Sequence, residues 1–141
     1  MTAENNCHVL IVEDNDLDVF LIEEAIKATK LTVVLHVVRD GEQAVRFFDQ
    51  ADNDAHLPSP SLVILDINLP KKLGGEVLKH MRKSQKCGKA LVLAVSTSDS
   101  KRDCDEMNRL GANGYFHKPS DYDGFMKFGD MIKGLLDGPY A

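Results

Sequence analysis

Apolar residues in this chain fall into short runs, separated by longer segments in which they recur every three or four positions. Val9-Leu10-Ile11-Val12 is such a run with polar residues further along on either side, the pattern of a strand covered on both faces of a sheet. From Asp16 the spacing changes: Leu17, Phe20, Leu21, Ala25 and Ile26 follow a helical pattern, and an early acid suits a helix start. Val33 to Val38 predicts a second strand. Asp40-Gly41-Glu42 opens a short helix with Ala44, Val45, Phe47 and Phe48 on its buried face. Residues 49 to 61, with three aspartates and two prolines, predict a surface loop.

The alternation continues. Leu62 to Leu65 predicts a third strand, and Gly75 to Ser84 a helix carrying Val77, Leu78 and Met81. Ala90 to Val95 predicts a fourth strand, followed by a helix from about Ser100 to Leu110 that stops at Gly111. Tyr115-Phe116 lies on a short fifth strand. The last helix, from about Ser120 to Asp137, carries Phe125, Phe128, Ile132 and Leu135 at helical spacing. Five strand-then-helix units in a row predict an α/β fold with a parallel sheet and helices on both faces. A length of 141 residues suits one domain, residues 1–141, with a single core. No second domain, linker or low-complexity segment breaks the pattern, and the apolar stripes are core positions that suggest no cofactor.

Composition narrows the setting. The hydrophobic fraction of 43% and charged fraction of 28% are ordinary for a globular protein. The longest apolar stretch, Ala90 to Val95, is too short to span a bilayer. The N-terminal MTAENNCHVLIVED has no basic segment ahead of an apolar one, so a signal peptide is not expected. Cys7, Cys87 and Cys104 form no CxxC pair and fit free thiols in a reducing compartment, which makes a cytoplasmic location the expectation. A net charge of −5 argues against general nucleic-acid affinity. The charge is uneven: Lys71, Lys72, Lys79, Arg82, Lys83, Lys86 and Lys89 face one acid, Glu76, between residues 71 and 89. That segment reads either as a solvated helix face or as a docking surface for an acidic partner.

The chemistry concentrates at strand ends. The third strand runs straight into Asp66, and a carboxylate beside a buried strand costs free energy unless something pairs with it. Asp66 is thus either a solvated strand-end residue or a charge wanted at that place. In open parallel sheets, ligands sit outside the carboxyl ends of the strands, near the point where strand order reverses. Glu13 and Asp14 end the first strand, Asp66 the third, Ser96 and Thr97 the fourth, and Lys118 follows the fifth. Three carboxylates against one ammonium repel one another unless neutralised, and a divalent cation would balance them. Oxygen donors without convergent His or Cys favour Mg2+ or a similar hard ion over zinc. His117 reads as a structural or exposed residue rather than a ligand.

Glu13-Asp14-Asn15, Asp66 within Asp-Ile-Asn-Leu-Pro, Ser96, and Tyr115-Phe-His-Lys118-Pro119 resemble the response-regulator receiver domains of two-component signalling. The likeness covers roughly residues 7 to 137. The intervals Asp66 to Ser96, 30 residues, and Ser96 to Lys118, 22 residues, are similar to those of the single-domain chemotaxis regulator. The resemblance implies a five-stranded doubly wound sheet of order 2-1-3-4-5. It implies that Asp66 is the phosphoacceptor, attacking a phosphoryl group delivered by a sensor histidine kinase. It further implies Mg2+ held by Asp14, Asp66 and the Asn68 main-chain carbonyl, with Glu13 acting through water. Lys118 would pair with Asp66 and later with the phosphoryl group, aimed by a cis bond at Pro119. Ser96 and Tyr115 would form the conformational switch, although the family more often has Thr at Ser96, and the adjacent Thr97 leaves a register shifted by one as the alternative. Asn68 and Ser98 resemble positions that tune phosphate lifetime, and read equally as ordinary turn polars.

The receiver resemblance implies a self-modifying signalling protein rather than a conventional enzyme. A phosphatase of the haloacid-dehalogenase type also uses a strand-end Asp, but needs a second acid two residues on, where this chain has Asn68. The remaining alternative is a phosphorylation-independent pseudo-receiver acting as a binding module. No output domain follows in the sequence, so the expected partners are a downstream protein or a phosphotransfer carrier. Leu21-Ile-Glu-Glu-Ala25, His36-Val-Val-Arg-Asp-Gly-Glu42 and Asp66-Ile-Asn-Leu-Pro70 resemble regulators that pair with phytochrome-type kinases. That subgroup implies a homodimer through strand five and the last helix. Tyr122, Met126, Met131 and Gly138-Pro139-Tyr140 supply apolar surface there, or else cover the end of the core.

Overall fold

The computed structural model describes residues 7–69, 73–98 and 100–137; Pro70, Lys71, Lys72 and Gly138-Pro139-Tyr140, named above, lie outside the described residues. Strand and helix alternate five times: β1 (Cys7–Val12), α1 (Asp16–Ala28), β2 (Val33–Val38), α2 (Gly41–Asn53), β3 (Leu62–Asp66), α3 (Gly74–Arg82), β4 (Leu91–Ser96), α4 (Lys101–Arg109), β5 (Gly114–His117) and α5 (Tyr122–Asp137). The strands form one parallel sheet in the expected order β2-β1-β3-β4-β5. Alternate strand residues serve opposite faces. Leu10, Val12, Val63, Leu65, Val92 and Ala94 pack against α2, α3 and α4 through Phe48, Leu78, Met81 and Met107. Val9, Ile11, Leu62, Ile64, Leu93 and Val95 pack against α1 and α5 through Ile22, Ile26, Phe125, Phe128 and Ile132. Burial on both faces explains why the central strands are continuous apolar runs.

Two elements differ from the sequence reading. The stretch from residue 49 to 53, expected as loop, is the last part of α2. Ala44, Phe48 and Ala51 continue one buried stripe, and the aspartates are helix-surface groups tied to the region after it. Asp49 bonds His80 at 2.8 Å, while Asp52 accepts from the Ser84 hydroxyl and the Lys86 N–H. In α1 the buried residues are Val19, Ile22, Ala25 and Ile26, while Leu17 and Phe20 are 63% and 54% exposed. Both sets have helical spacing, so periodicity alone could not decide which one faces the sheet. Val45 and Phe47 are half-buried rather than core.

Hydrogen bonding continues past the strand ends at the edge that carries the strand-end acids. Glu13 N–H donates to Val38 O at 3.0 Å, Ile67 N–H to Val95 O at 3.1 Å and Lys118 N–H to Ser96 O at 2.6 Å. The backbone that bears these side chains is therefore fixed by the sheet itself. All peptide bonds among the described residues are trans, which corrects the expected cis bond before Pro119. Proline only narrows the trans preference, and the Lys118 N–H bond to Ser96 already anchors the residue. Two glycines permit close approach near this frame. A Cβ on Gly74 would lie 2.5 Å from Ile67 Cα, and one on Gly129 would lie 2.5 Å from Ala25 O, where α5 crosses α1. Among the described residues no helix is long and apolar enough to cross a membrane.

Candidate functional site

The carboxyl ends of β1, β3, β4 and β5 bring together Glu13, Asp14, Asp66, Ser96 and Lys118. Asp66 is the last residue of β3 and 6% exposed, with its Oδ1 accepting from the Asn68 N–H at 2.9 Å and its Oδ2 3.2 Å from Lys118 Nζ. Glu13 is 2% exposed; its Oε1 lies 2.8 Å from Lys118 Nζ, and its Oε2 accepts from the Asn15 N–H at 3.1 Å. Asp14 faces solvent. Oxygens of Glu13, Asp14 and Asp66 lie within 4.8 Å of one another. This all-oxygen, anionic donor set fits a hard divalent cation and not a soft one.

A fourth carboxylate joins them that sequence reasoning did not single out. Asp18, in the first turn of α1, places Oδ2 2.8 Å from Lys118 Nζ. Its only sequence signal was its position near a helix start, where acids are common for reasons of the helix dipole. Lys118 thus faces three carboxylates directly. Burial alone would depress its ammonium, but the hydrogen bonds to Asp18 and Glu13 and the charge of Asp66 outweigh this and raise its pKa above the ordinary lysine value. Glu13 responds in the opposite balance. Burial pushes its carboxyl up to about 7, assisted by the charge of Asp66 and resisted by Lys118.

On the other side of Asp66 lies a chain of hydroxyls. Ser96 is fully buried, and its Oγ accepts from Asn68 Nδ2 at 3.2 Å and from the Ser98 N–H at 2.9 Å. Thr97 is exposed, so the inward hydroxyl of this strand end is that of Ser96. The Ser98 Oγ accepts from the Ser100 N–H, and the Ser100 Oγ caps α4 by accepting from the Asp103 N–H. Tyr115, half-buried against the α2–α4 side of the core, donates its hydroxyl to Ser98 O at 2.9 Å. His117 is exposed and bonds Thr97 O at 2.7 Å, away from the acidic group.

Gly74 also belongs to this site, because its N–H donates to Ile67 O at 3.1 Å and a Cβ there would stand 3.1 Å from Asp66 O. It holds the start of α3 against the loop that follows Asp66.

Known proteins resemble this chain over most of its length. Residues 9–128 match the response regulator receiver domain family. The chain is 32% identical over 127 residues to the response regulator Rcp1 of Synechocystis sp., covering 90% of this chain and 84% of that protein. Among solved structures it is similar to the phosphorylated cyanobacterial phytochrome response regulator RcpA, with a TM-score of 0.84, 30% identity and coverage of 94% and 95% of the two chains. It is also similar to the Mn(2+)-bound form of Rcp1, with a TM-score of 0.81, 30% identity and coverage of 92% and 94%.

Proposed function

The chain belongs to the response regulator receiver domain family, and on that premise we propose that it is a phosphoacceptor whose acceptor group is Asp66. The observation that carries the reading is the placement of the Asp66 carboxylate, at the strand end beside Lys118 and close to the Glu13 and Asp14 carboxylates. A carboxylate oxygen of Asp66 forms a bond to phosphorus as the N–P bond of a phosphohistidine donor breaks, and the donor imidazole keeps the electron pair. Asp14, Asp66 and the Asn68 main-chain carbonyl would hold Mg2+, with Glu13 acting through water, and the ion when bound would spread charge from the transferring phosphoryl oxygens. Lys118 supplies a further positive charge 3.2 Å from Asp66 Oδ2. Fixed charges that need no reorganisation at the moment of transfer are what such a reaction requires.

Readout falls to Ser96 and Tyr115. The buried Ser96 hydroxyl shifts toward the phosphoryl group, and Tyr115 follows it through the loop they share. A modification shifts a conformational population only through contacts that differ between states. Asn68 and Ser98, both bonded to the Ser96 Oγ, are placed to tune the lifetime of the phosphorylated form.

The partner is a sensor histidine kinase, of phytochrome type by the likeness to the phytochrome response regulator RcpA, and the signal passes to a downstream protein or phosphotransfer carrier. A second copy packs on β5 and α5. Met126 and Met131 are half-buried against the α1–α5 core, so Tyr122, 57% exposed, is the residue of that apolar trio left to such a contact. Sedimentation with and without acetyl phosphate tests the dimer. Intact mass after incubation with acetyl phosphate, with and without Mg2+, tests the acceptor: wild type gains one phosphoryl group only with Mg2+, and Asp66→Asn gains none. A folded, Mg2+-binding wild type that takes up no label overturns the reading in favour of a pseudo-receiver.

A further inference from the structure

We infer that Asp18 is a positioning residue for the phosphoryl site: it holds the Lys118 ammonium and thereby weakens the site's grip on a phosphoryl group at Asp66. This rests on the reading of Asp66 as the phosphoacceptor.

Asp18 is the third residue of α1, counted from its first residue, Asp16. An acid at this place commonly reaches back to the N–H of the capping residue. In this chain the Asn15 N–H donates to Glu13 Oε2 instead, and the Asn15 side chain accepts from the Asp18 N–H at 2.9 Å. The Asp18 carboxylate is thus released from helix capping and lies 2.8 Å from an ammonium a hundred residues away. An ammonium has three donors, and Lys118 has three carboxylate partners: Asp18, Glu13 and Asp66. Glu13 and Asp66 also belong to the group able to hold a cation, so their charge is shared once that group is filled; Asp18 stands outside it. Asp18 is therefore the anion that keeps its full claim on Lys118. A phosphoryl oxygen arriving at Asp66 must share the ammonium with it, and Asp18, which contacts the same Nζ as Asp66, adds a like charge near the one that appears. Both effects act in the same direction.

Calorimetric titration of the Mg2+-saturated full chain with beryllofluoride, a phosphoryl mimic, reads the effect. Asp18→Asn keeps the size and one acceptor oxygen but removes the charge, and should tighten beryllofluoride binding about fivefold, the scale of one partly exposed ion pair. Asp18→Glu, which restores the charge, should return the affinity toward wild type. Mg2+ affinity should be retained in both, which a general loss of structure would not allow. Unchanged or weaker beryllofluoride binding in both Asp18→Asn and Asp18→Ser, with Mg2+ still bound, overturns the inference. Absence of beryllofluoride binding in the wild type removes the phosphoacceptor reading and this inference with it.

Discussion

Asn68 Nδ2 donates to the Oγ of Ser96 across 3.2 Å, joining the loop that follows Asp66 to the end of β4. The same Oγ accepts from the Ser98 N–H, whose carbonyl oxygen in turn receives the Tyr115 hydroxyl. The segments after β3 and β4 therefore meet at one buried hydroxyl, Tyr115 of β5 joins them through the Ser98 carbonyl, and a change at Asp66 has a short bonded path to Tyr115.

Ser96→Ala removes the acceptor for two donors at a fully buried position. Both donors are only partly shielded, so the loss is the net worth of a hydrogen bond, about 0.5–1.5 kcal/mol, and the urea midpoint should fall with an unchanged m-value. Labelling at Asp66 should persist, because the hydroxyl is not the nucleophile. An unshifted midpoint would mean that Asn68 and Ser98 find other partners.

Gly74→Ala tests the support of the loop that follows Asp66. The added methyl would meet Ile67 Cα at 2.5 Å and Asp66 O at 3.1 Å, and backbone on both sides leaves little room to yield. Overpacking of this kind costs about 1–3 kcal/mol. Chemical denaturation should show that loss, and acetyl phosphate labelling should slow because Asp66 is displaced. A variant with wild-type labelling would show that the loop can move without moving the carboxylate.

Glu13 ties stability to pH in the metal-free protein. Its folded value, about 7, lies above the ordinary 4.5. Between those values the folded chain holds a proton that the unfolded chain has lost, so this group's stabilisation is fully present below about pH 4.5 and is lost as pH rises to about 7. The total is up to about 3 kcal/mol. Glu13→Gln should flatten that part of the profile, raising relative stability at pH 8. Since the carboxyl must ionise to assist a cation, Mg2+ affinity of the wild type should also climb between pH 6 and pH 8. Parallel pH–stability profiles for wild type and Glu13→Gln would contradict the assignment.

The architecture and most of the site were legible in the sequence because both depend on local order. Apolar runs of the β1 and β3 type have few alternatives to buried strands, and strand-end residues converge in any parallel sheet. Asp18 was not legible, because an acid in a first helical turn has an ordinary explanation and its partner Lys118 is remote in sequence. The face of α1 was equally hidden: Leu17 and Phe20 share helical spacing with one another just as Val19, Ile22 and Ile26 do. Only the packing against α5, where Gly129 lets α1 approach, decides between them. The end of α2 failed for the opposite reason, since Asp49 and Asp52 look like loop residues until His80 and Ser84 are brought beside them.

A second pH dependence, opposite in sign, sits on the far side of the sheet from α1 and α5. His36 on β2 stacks on His8 of β1 with ring centroids 5.1 Å apart and Nε2 2.9 Å from His8 Nδ1, while Phe47 of α2 meets it edge-on. At that separation one nitrogen donates and the other accepts, which requires at least one ring to be neutral. Burial, and then the nearby His8, lower the His36 pKa below its ordinary 6.5. As pH falls through 6.5 the unfolded chain takes up a proton before the folded chain does, so this group's contribution is complete above that value and is lost below it. His36→Gln should lower stability at neutral pH by about 1 kcal/mol, the worth of one hydrogen bond, and lessen the loss between pH 6.5 and pH 5. Thermal unfolding of both proteins across that range, with Glu13→Gln as the common background, isolates the effect. An equally steep acid limb in the His36→Gln protein would place the acid sensitivity elsewhere.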